Sequence, residues 1–240
     1  MSSRITCEVR TTAPVAVVRL AGALHLGTMR SVHRALSDAL VDQPEALVVD
    51  MAEVSVEDRL ALSVFAAAAR RAEEWPAVPV VLCAPSPVAA RWLAESTTCR
   101  VVPVTADCAE ATRMAGATLR MRARLEPVAE ACRRARELVT DACARWNLPE
   151  VAGPAALVLS ELVGNVVRHA GTPMQVTVTL RRPYLHLAVV DGSSAQAQPG
   201  GTDLHAEGGR GLMLVRELAQ RWGSVPAGQG KAVWAMLPAT

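Results

Sequence analysis

The apolar positions of this chain follow two regimes. Up to about residue 117, short apolar runs alternate with stretches of helical spacing. Residues 15–20 (VAVVRL) are rich in β-branched side chains and have the length of a buried strand. Residues 29–40 place apolar side chains three and four apart, which predicts a helix. Residues 46–50 (ALVVD) predict another strand, and residues 60–74 an Ala-rich helix stopped by Pro76. Strands at 78–83 and 101–104 and helices at 87–96 and 109–117 complete this half. Strands alternating with helices predict an α/β domain, a sheet covered by helices.

The second half has a different rhythm. Residues 127–146 and 154–169 have helical spacing. Pro154 suits a first helical turn, and Gly171 suits a stop. Residues 174–180 and 184–190 alternate like paired strands, joined by residues 181–183. A polar, Gly-containing loop at 193–207 leads to a glycine cluster and a helix over 208–222. Strand character returns at 224–225 and 232–237. Helices on one face of a mostly antiparallel sheet predict an α+β two-layer sandwich. Between the halves, residues 119–125 (LRMRARL) alternate Arg with apolar residues and read either as a linker or as an edge strand. The division adopted is a domain over 1–117, a linker over 118–126 and a second domain over 127–240.

Composition narrows the class. Of the 240 residues, 51% are hydrophobic and 20% charged, the balance of a globular protein. No apolar run reaches the roughly 20 residues that span a bilayer, and the first ten residues lack a signal peptide's apolar core. A cytoplasmic protein without membrane contact is expected. The six cysteines form no Cys-x-x-Cys pair and have no His at zinc-ligand spacing, so reduced, buried thiols are expected. The net charge of +2 divides unevenly: residues 1–117 sum to −2 and residues 118–240 to +4. A mildly basic second half suits an anionic ligand such as a nucleotide. It lacks the dense basic stripe of a nucleic-acid binder.

Four features carry candidate chemistry. Glu161 and Asn165 lie four apart on the 154–169 helix and share a face with Arg168 and His169. A carboxylate there is suited to deprotonate or orient a nucleophile, and a carboxamide oxygen is a hard ligand for Mg²⁺. Alone, the pair reads equally as a solvated helix face. Asp191 follows the strand LHLAVV, where a carboxylate is placed to accept from a base amino group, although Asp-Gly is also a common turn. Gly208, Gly209, Arg210 and Gly211 precede the helix LMLVRELAQRW. Glycines allow close backbone approach to phosphate, the helix start offers free N–H groups, and Arg210 adds a cation. The alternative for this stretch is a flexible loop. Neither standard Gly-rich phosphate signature is complete here.

In combination the features are more specific. Glu-x-x-x-Asn on a helix, Asp-Gly after a strand and Gly-x-Gly opening a helix occur in that order. This resembles the ATP-binding domain of histidine kinases, gyrase-type ATPases and Hsp90-class chaperones. SELVGNVVRHA, VVDGS, EGGRGLMLVRELAQRWG and GKAVWAML are most similar to the anti-sigma-factor serine kinases among them. The resemblance covers nearly all of residues 124–238. It implies Glu161 as general base, Asn165 as the Mg²⁺ ligand, Asp191 as reader of the adenine amino group, and Gly209, Arg210 and Gly211 around the phosphates. The cofactors implied are ATP and Mg²⁺. Two positions depart from the pattern. Ser193 stands where many relatives have the Gly of Asp-x-Gly, and Lys231 and Ala232 replace small hydroxyl residues.

The first half resembles the STAS fold of anti-anti-sigma factors, the usual substrates of those kinases. VVRLAGAL, ALVVDMAEVSVEDRLALSVFAAAARR and VPVVLCAPSPVAARWL carry the likeness over about residues 4–117. Relatives have Asp-Ser-Ser-Gly at the phosphorylation loop, whereas this chain has Asp58, Arg59, Leu60 and Ala61. Arg59 thus replaces the acceptor serine. It is expected to pair with the neighbouring Glu57 and Asp58.

The resemblance implies an ATP-dependent regulator of the anti-sigma type, a serine kinase acting on a STAS partner in a partner-switching pathway. The alternative is a non-catalytic ATP-binding module that sequesters a sigma factor or another regulator. Expected partners are a STAS-domain anti-anti-sigma protein, a sigma factor or both; a homodimer is compatible with either reading. A sensor histidine kinase would need a dimerisation helix pair bearing an acceptor His, and no such segment is evident.

Overall fold

The computed structural model describes residues 4–12, 14–114, 119–193, 209–228 and 230–239. The chain divides into two compact units, Met1–Thr118 and Leu119–Thr240.

In the first unit, five strands form one sheet in chain order: β1 (Ile5–Thr12), β2 (Val15–Leu24), β3 (Ala46–Val56), β4 (Val80–Cys83) and β5 (Val104–Thr105). β1 is antiparallel to β2, and the other neighbours are parallel. The parallel strands are apolar on both faces because both are covered. Val18, Leu20, Leu47, Val49 and Leu82 face one core with α1 (Met29–Val41), α2 (Ser63–Glu74) and α3 (Pro87–Ala94). Val15, Ala46, Val48 and Val81 face a smaller cluster with Ala111 of α4 (Cys108–Met114).

Three features of this unit differ from the sequence reading. β1 was not expected; its exposed Glu8 and Arg10 mask the strand pattern at the sheet edge. Cys83 and Cys108 form a disulfide, against the expectation of six reduced thiols. The end of β4 and the start of α4 bring their Cα atoms to 5.1 Å. Arg59 pairs with Glu95, 3.1 Å away at the end of α3, and not with Glu57 or Asp58. Asp58 is engaged locally, its Oδ1 accepting from the Leu60 N–H at 2.8 Å.

In the second unit a fully antiparallel sheet has the order β6-β7-β8-β10-β9. The strands are β6 (Leu119–Leu125), β7 (Met174–Arg181), β8 (Tyr184–Asp191), β9 (Arg221–Ala227) and β10 (Gly230–Pro238). Residues 119–125 are therefore the edge strand rather than a linker, and the second unit begins at Leu119 and not at residue 127. The helices are α5 (Ala131–Arg145), α6 (Pro149–Asn165) and α7 (Gly209–Leu218). Val176, Val178, Leu187, Val189, Val233 and Ala235 bury their side chains with Val139, Leu159, Leu162 and Val215 of these helices. The result is the two-layer α+β sandwich.

α6 starts at Pro149, five residues before the expected Pro154, which lies inside the helix. Pro149 fills the first turn, and Pro154 then removes a single intrahelical bond. α6 continues as a π turn, Val166–Ala170, closed by Gly171 at φ 61°. The whole helix, Pro149–Ala170, is long and apolar enough by length and composition to cross a membrane. It also supplies Val158, Leu159, Leu162 and Val163 to this unit's core.

His186 on β8 is buried, and desolvation, followed by the positive charges of Arg181 and Arg120, pushes its pKa down to about 3. The unfolded chain takes up a proton near the ordinary value of about 6.5. The native state resists protonation, so this contribution to stability is complete above about pH 6.5. It declines as pH falls toward 3, by up to about 1.4 kcal/mol per pH unit. The unfolding free-energy difference between wild type and His186→Gln should therefore shrink on acidification from pH 7 to 4. A difference constant over that interval would show that His186 titrates normally.

Candidate functional site

The site is built along one exit edge of the second unit's helical layer. α6 turns Glu161, Asn165 and Arg168 to a common face. The Arg168 guanidinium reaches Asn165 Oδ1 at 3.0 Å and Glu161 Oε2 at 3.7 Å. Glu161 and Arg168 are about a third and a half exposed, so this side of the site is open to solvent. His169 is exposed and makes no described contact with the other three.

α7 brings its first turn to the same place. A Cβ on Gly211 would meet Glu161 Oε2, so the start of α7 lies against this carboxylate and a larger residue there would push it aside. The first-turn N–H groups and the positive end of the α7 dipole thus lie beside Glu161. Gly209 opens the helix. The side chain of Arg210 and all of Gly208 lie outside the described residues.

Asp191 ends β8, and its side chain is 1% exposed. Strand parity turns it, like Leu187 and Val189, toward the helical layer. Its Oδ1 accepts from the Ser193 N–H at 2.7 Å. Next to it, the Gly192 N–H donates to Thr172 Oγ1 at 3.0 Å, tying the end of β8 to the segment after α6. Lys231 stands directly opposite Asp191 in the β10·β8 register. Its Nζ lies 3.0 Å from both carboxylate oxygens, although only Oδ1 accepts with hydrogen-bond geometry.

The structure therefore brings Glu161, Asn165 and Gly211 together and sets Asp191 at the end of β8. Sequence reasoning assigned no partner to Lys231, and it placed Arg168 on the face without its two contacts. Lys231 was visible only as a departure from a motif, because its engagement depends on pairing between strands 40 residues apart.

The residues fit a nucleotide and a divalent cation. Asp191 Oδ2 is buried without a hydrogen-bond donor among the described residues. Gly211 brings the start of α7 into close approach with the Glu161 carboxylate. Glu161 and Asn165 offer hard oxygen donors at the solvent edge.

Residues 6–111 match the family model of the STAS domain. Residues 121–237 match that of the histidine kinase-like ATPase domain. The chain joins a STAS domain to a histidine kinase-like ATPase domain. A domain of the second kind implies ATP binding. No curated protein matches the chain. Among solved structures, it is similar to an anti-sigma factor antagonist from Mycobacterium paratuberculosis, with 22% identity over 48% of this chain and 97% of that one (TM-score 0.42). It is also similar to the Bacillus cell fate determinant SpoIIAA in the phosphorylated form, with 16% identity over 45% and 99% (TM-score 0.36). The histidine kinase domain of a blue-light activated histidine kinase from Erythrobacter litoralis gives 14% identity over 88% and 94% (TM-score 0.31).

Proposed function

We propose that this protein is a cytoplasmic, ATP-dependent regulator of the anti-sigma type, which transfers the γ-phosphoryl group of ATP to a serine on a separate STAS protein. The observation that carries the reading is the meeting of Glu161, Asn165 and the glycine start of α7. A general base, a hard oxygen ligand and a phosphate-binding helix start are the parts that phosphoryl transfer needs side by side. Bound Mg²⁺ would supply charge neutralisation on the phosphates. Asn165 Oδ1 would hold it after releasing Arg168, and the N–H groups at the start of α7 would hold the phosphate oxygens. Glu161 would accept the proton of the incoming serine hydroxyl, and Asp191 would hold the base.

The STAS domain of this chain is not the substrate in this reading, since Arg59 stands at the acceptor position. Its guanidinium pairs instead with Glu95 at the end of α3. The direct test incubates the full chain with γ-labelled ATP and a panel of STAS proteins bearing the acceptor serine. Label on a partner serine, and none on residues 54–63 of this chain, is expected. An unlabelled panel, with ATP shown to be bound, would contradict the kinase reading.

A second reading has an observation in its favour. The Arg168 guanidinium donates to Asn165 Oδ1 at 3.0 Å and lies 3.7 Å from Glu161 Oε2, so it engages the oxygens that the metal and base roles would use. If that arrangement persists with ATP bound, the domain is a nucleotide-controlled binding module for a sigma factor or another regulator. The same labelling experiment separates the two readings.

A further inference from the structure

The two faces of the first unit's sheet are covered unequally. α1, α2 and α3 bury a large core against one face. The cluster on the other face, Val15, Ala46, Val48, Val81 and Cys83, receives α4, which is seven residues long and has Ala111 as its buried residue among those described. A helix so short is marginal without support from outside it. β5, which leads into α4, pairs with β4 at two positions, Leu82 with Val104 and Cys83 with Thr105. The Thr105 hydroxyl adds a bond to the Leu82 carbonyl at 3.3 Å. Against these few contacts stands the Cys83–Cys108 bond, which joins β4 to the first residue of α4 across a sequence separation of 25. It is the strongest tie holding residues 104–114 to the sheet. Its two sulfurs are not equally accessible. Cys83 is 0% exposed, whereas Cys108 is half-buried between the exposed Asp107 and Ala109.

We propose that Cys83 and Cys108 are a reversible thiol-modification site, at which reduction by a dithiol releases α4 from the sheet and reoxidation docks it again. One thiolate of the dithiol attacks the accessible Cys108 Sγ. The Sγ–Sγ bond breaks, and Cys83 leaves with the electron pair and takes up a proton. The second thiol of the reductant loses its proton, attacks the mixed disulfide and expels Cys108, which is protonated in turn. The chain gains two electrons and two protons, and the dithiol is oxidised to its disulfide. With the bond open, Ala111 and the two β5 pairs are left to hold α4. A protonated, buried Cys83 packs as a small apolar side chain, so the strand it belongs to stays in the sheet. The core on the opposite face, with Leu20, Leu47, Val49 and Leu82, does not depend on the bond. The release is therefore local. It bares Val15, Ala46, Val48 and Val81 and loosens the helix that ends at Met114, just ahead of the second unit's start at Leu119. A permanent staple resists a dithiol in the folded chain, whereas a sensing bond of the kind found in reducing compartments yields to it.

The test treats the full chain with dithiothreitol and EDTA without denaturant, then reads thiol alkylation and hydrogen exchange by mass spectrometry. EDTA is present because the freed thiols and the Asp50 carboxylate, whose ligand atoms lie within 4.8 Å of one another, would offer a metal ion three donors. Cys83 and Cys108 should become alkylated together and only after reduction, and oxidised glutathione should restore the bond. Exchange of the α4 amides should rise by about thirty- to a thousandfold, the usual weight of a loop-closing disulfide, while the β2 and β3 amides change by less than about threefold. Cys83→Ala combined with Cys108→Ala should show the raised α4 exchange without reductant and no response to it. If that variant does not fold, the wild-type measurement decides. A bond that stays closed in dithiothreitol overturns the proposal, as does one that opens with α4 exchange unchanged. Loss of β2 and β3 protection together with that of α4 also overturns it, since the bond would then hold the whole unit.

Discussion

Glu161→Gln should leave ATP binding intact and reduce phosphoryl transfer to a STAS partner by about 10²–10⁴-fold, the usual weight of a general base. Gln is nearly isosteric with Glu, so the start of α7 still finds room beside it. The Glu161–Arg168 pair is a third to a half exposed, so its loss costs only about 0–1 kcal/mol and the fold survives. What disappears is the acceptor for the serine proton. Arg168 keeps its contact with Asn165, so a generally distorted site is not expected. The measurement is a single-turnover transfer rate at saturating ATP, read beside a binding isotherm. A wild-type rate in the variant would show that Glu161 is not the base. Loss of binding together with rate would assign it a structural role.

Asp191→Ala should produce the largest change in stability at the site, about 3–5 kcal/mol. Removing the carboxylate leaves the Lys231 ammonium in a place where only 11% of its side chain meets water. It also strips the Ser193 N–H of its acceptor. The cost belongs mainly to the stranded charge, so Asp191→Ala combined with Lys231→Met should recover much of it. Hydrogen exchange of the β8 and β10 amides measures the opening free energy of these strands directly. A change below about 1 kcal/mol in the single variant would mean that water reaches the pair and that it behaves like a surface bridge.

The ease of reading each part from the sequence follows from where its determinants lie. β2, β3 and β4 are apolar on both faces, and the continuous runs announce them. α1 and α2 carry strong helical periodicity and appear close to their expected bounds. β1 is an exposed edge strand whose charged positions conceal it, and β6 alternates Arg with apolar residues in a pattern that also suits a linker. α6 has two candidate first-turn prolines, and local pattern favoured the wrong one. In the site, Glu161, Asn165, Asp191 and Gly211 stand in local motifs. Their chemical roles come from a resemblance, whereas the close seat of Gly211 against Glu161 is geometric. The Asp191–Lys231 pair and the Cys83–Cys108 disulfide depend on register and packing between residues 40 and 25 positions apart. No local window contains them.

The central claim is that the second unit binds Mg-ATP through Asp191 and the start of α7. Titration calorimetry of the full chain with Mg-ATP, on samples shown to be folded, tests it most directly. Wild type should give a saturable isotherm of one site below about millimolar ATP, and Gly211→Val, which crowds the Glu161 carboxylate and the start of α7, should abolish it. A folded wild type with no binding heat up to that concentration, or a Gly211→Val protein with the wild-type isotherm, would contradict it.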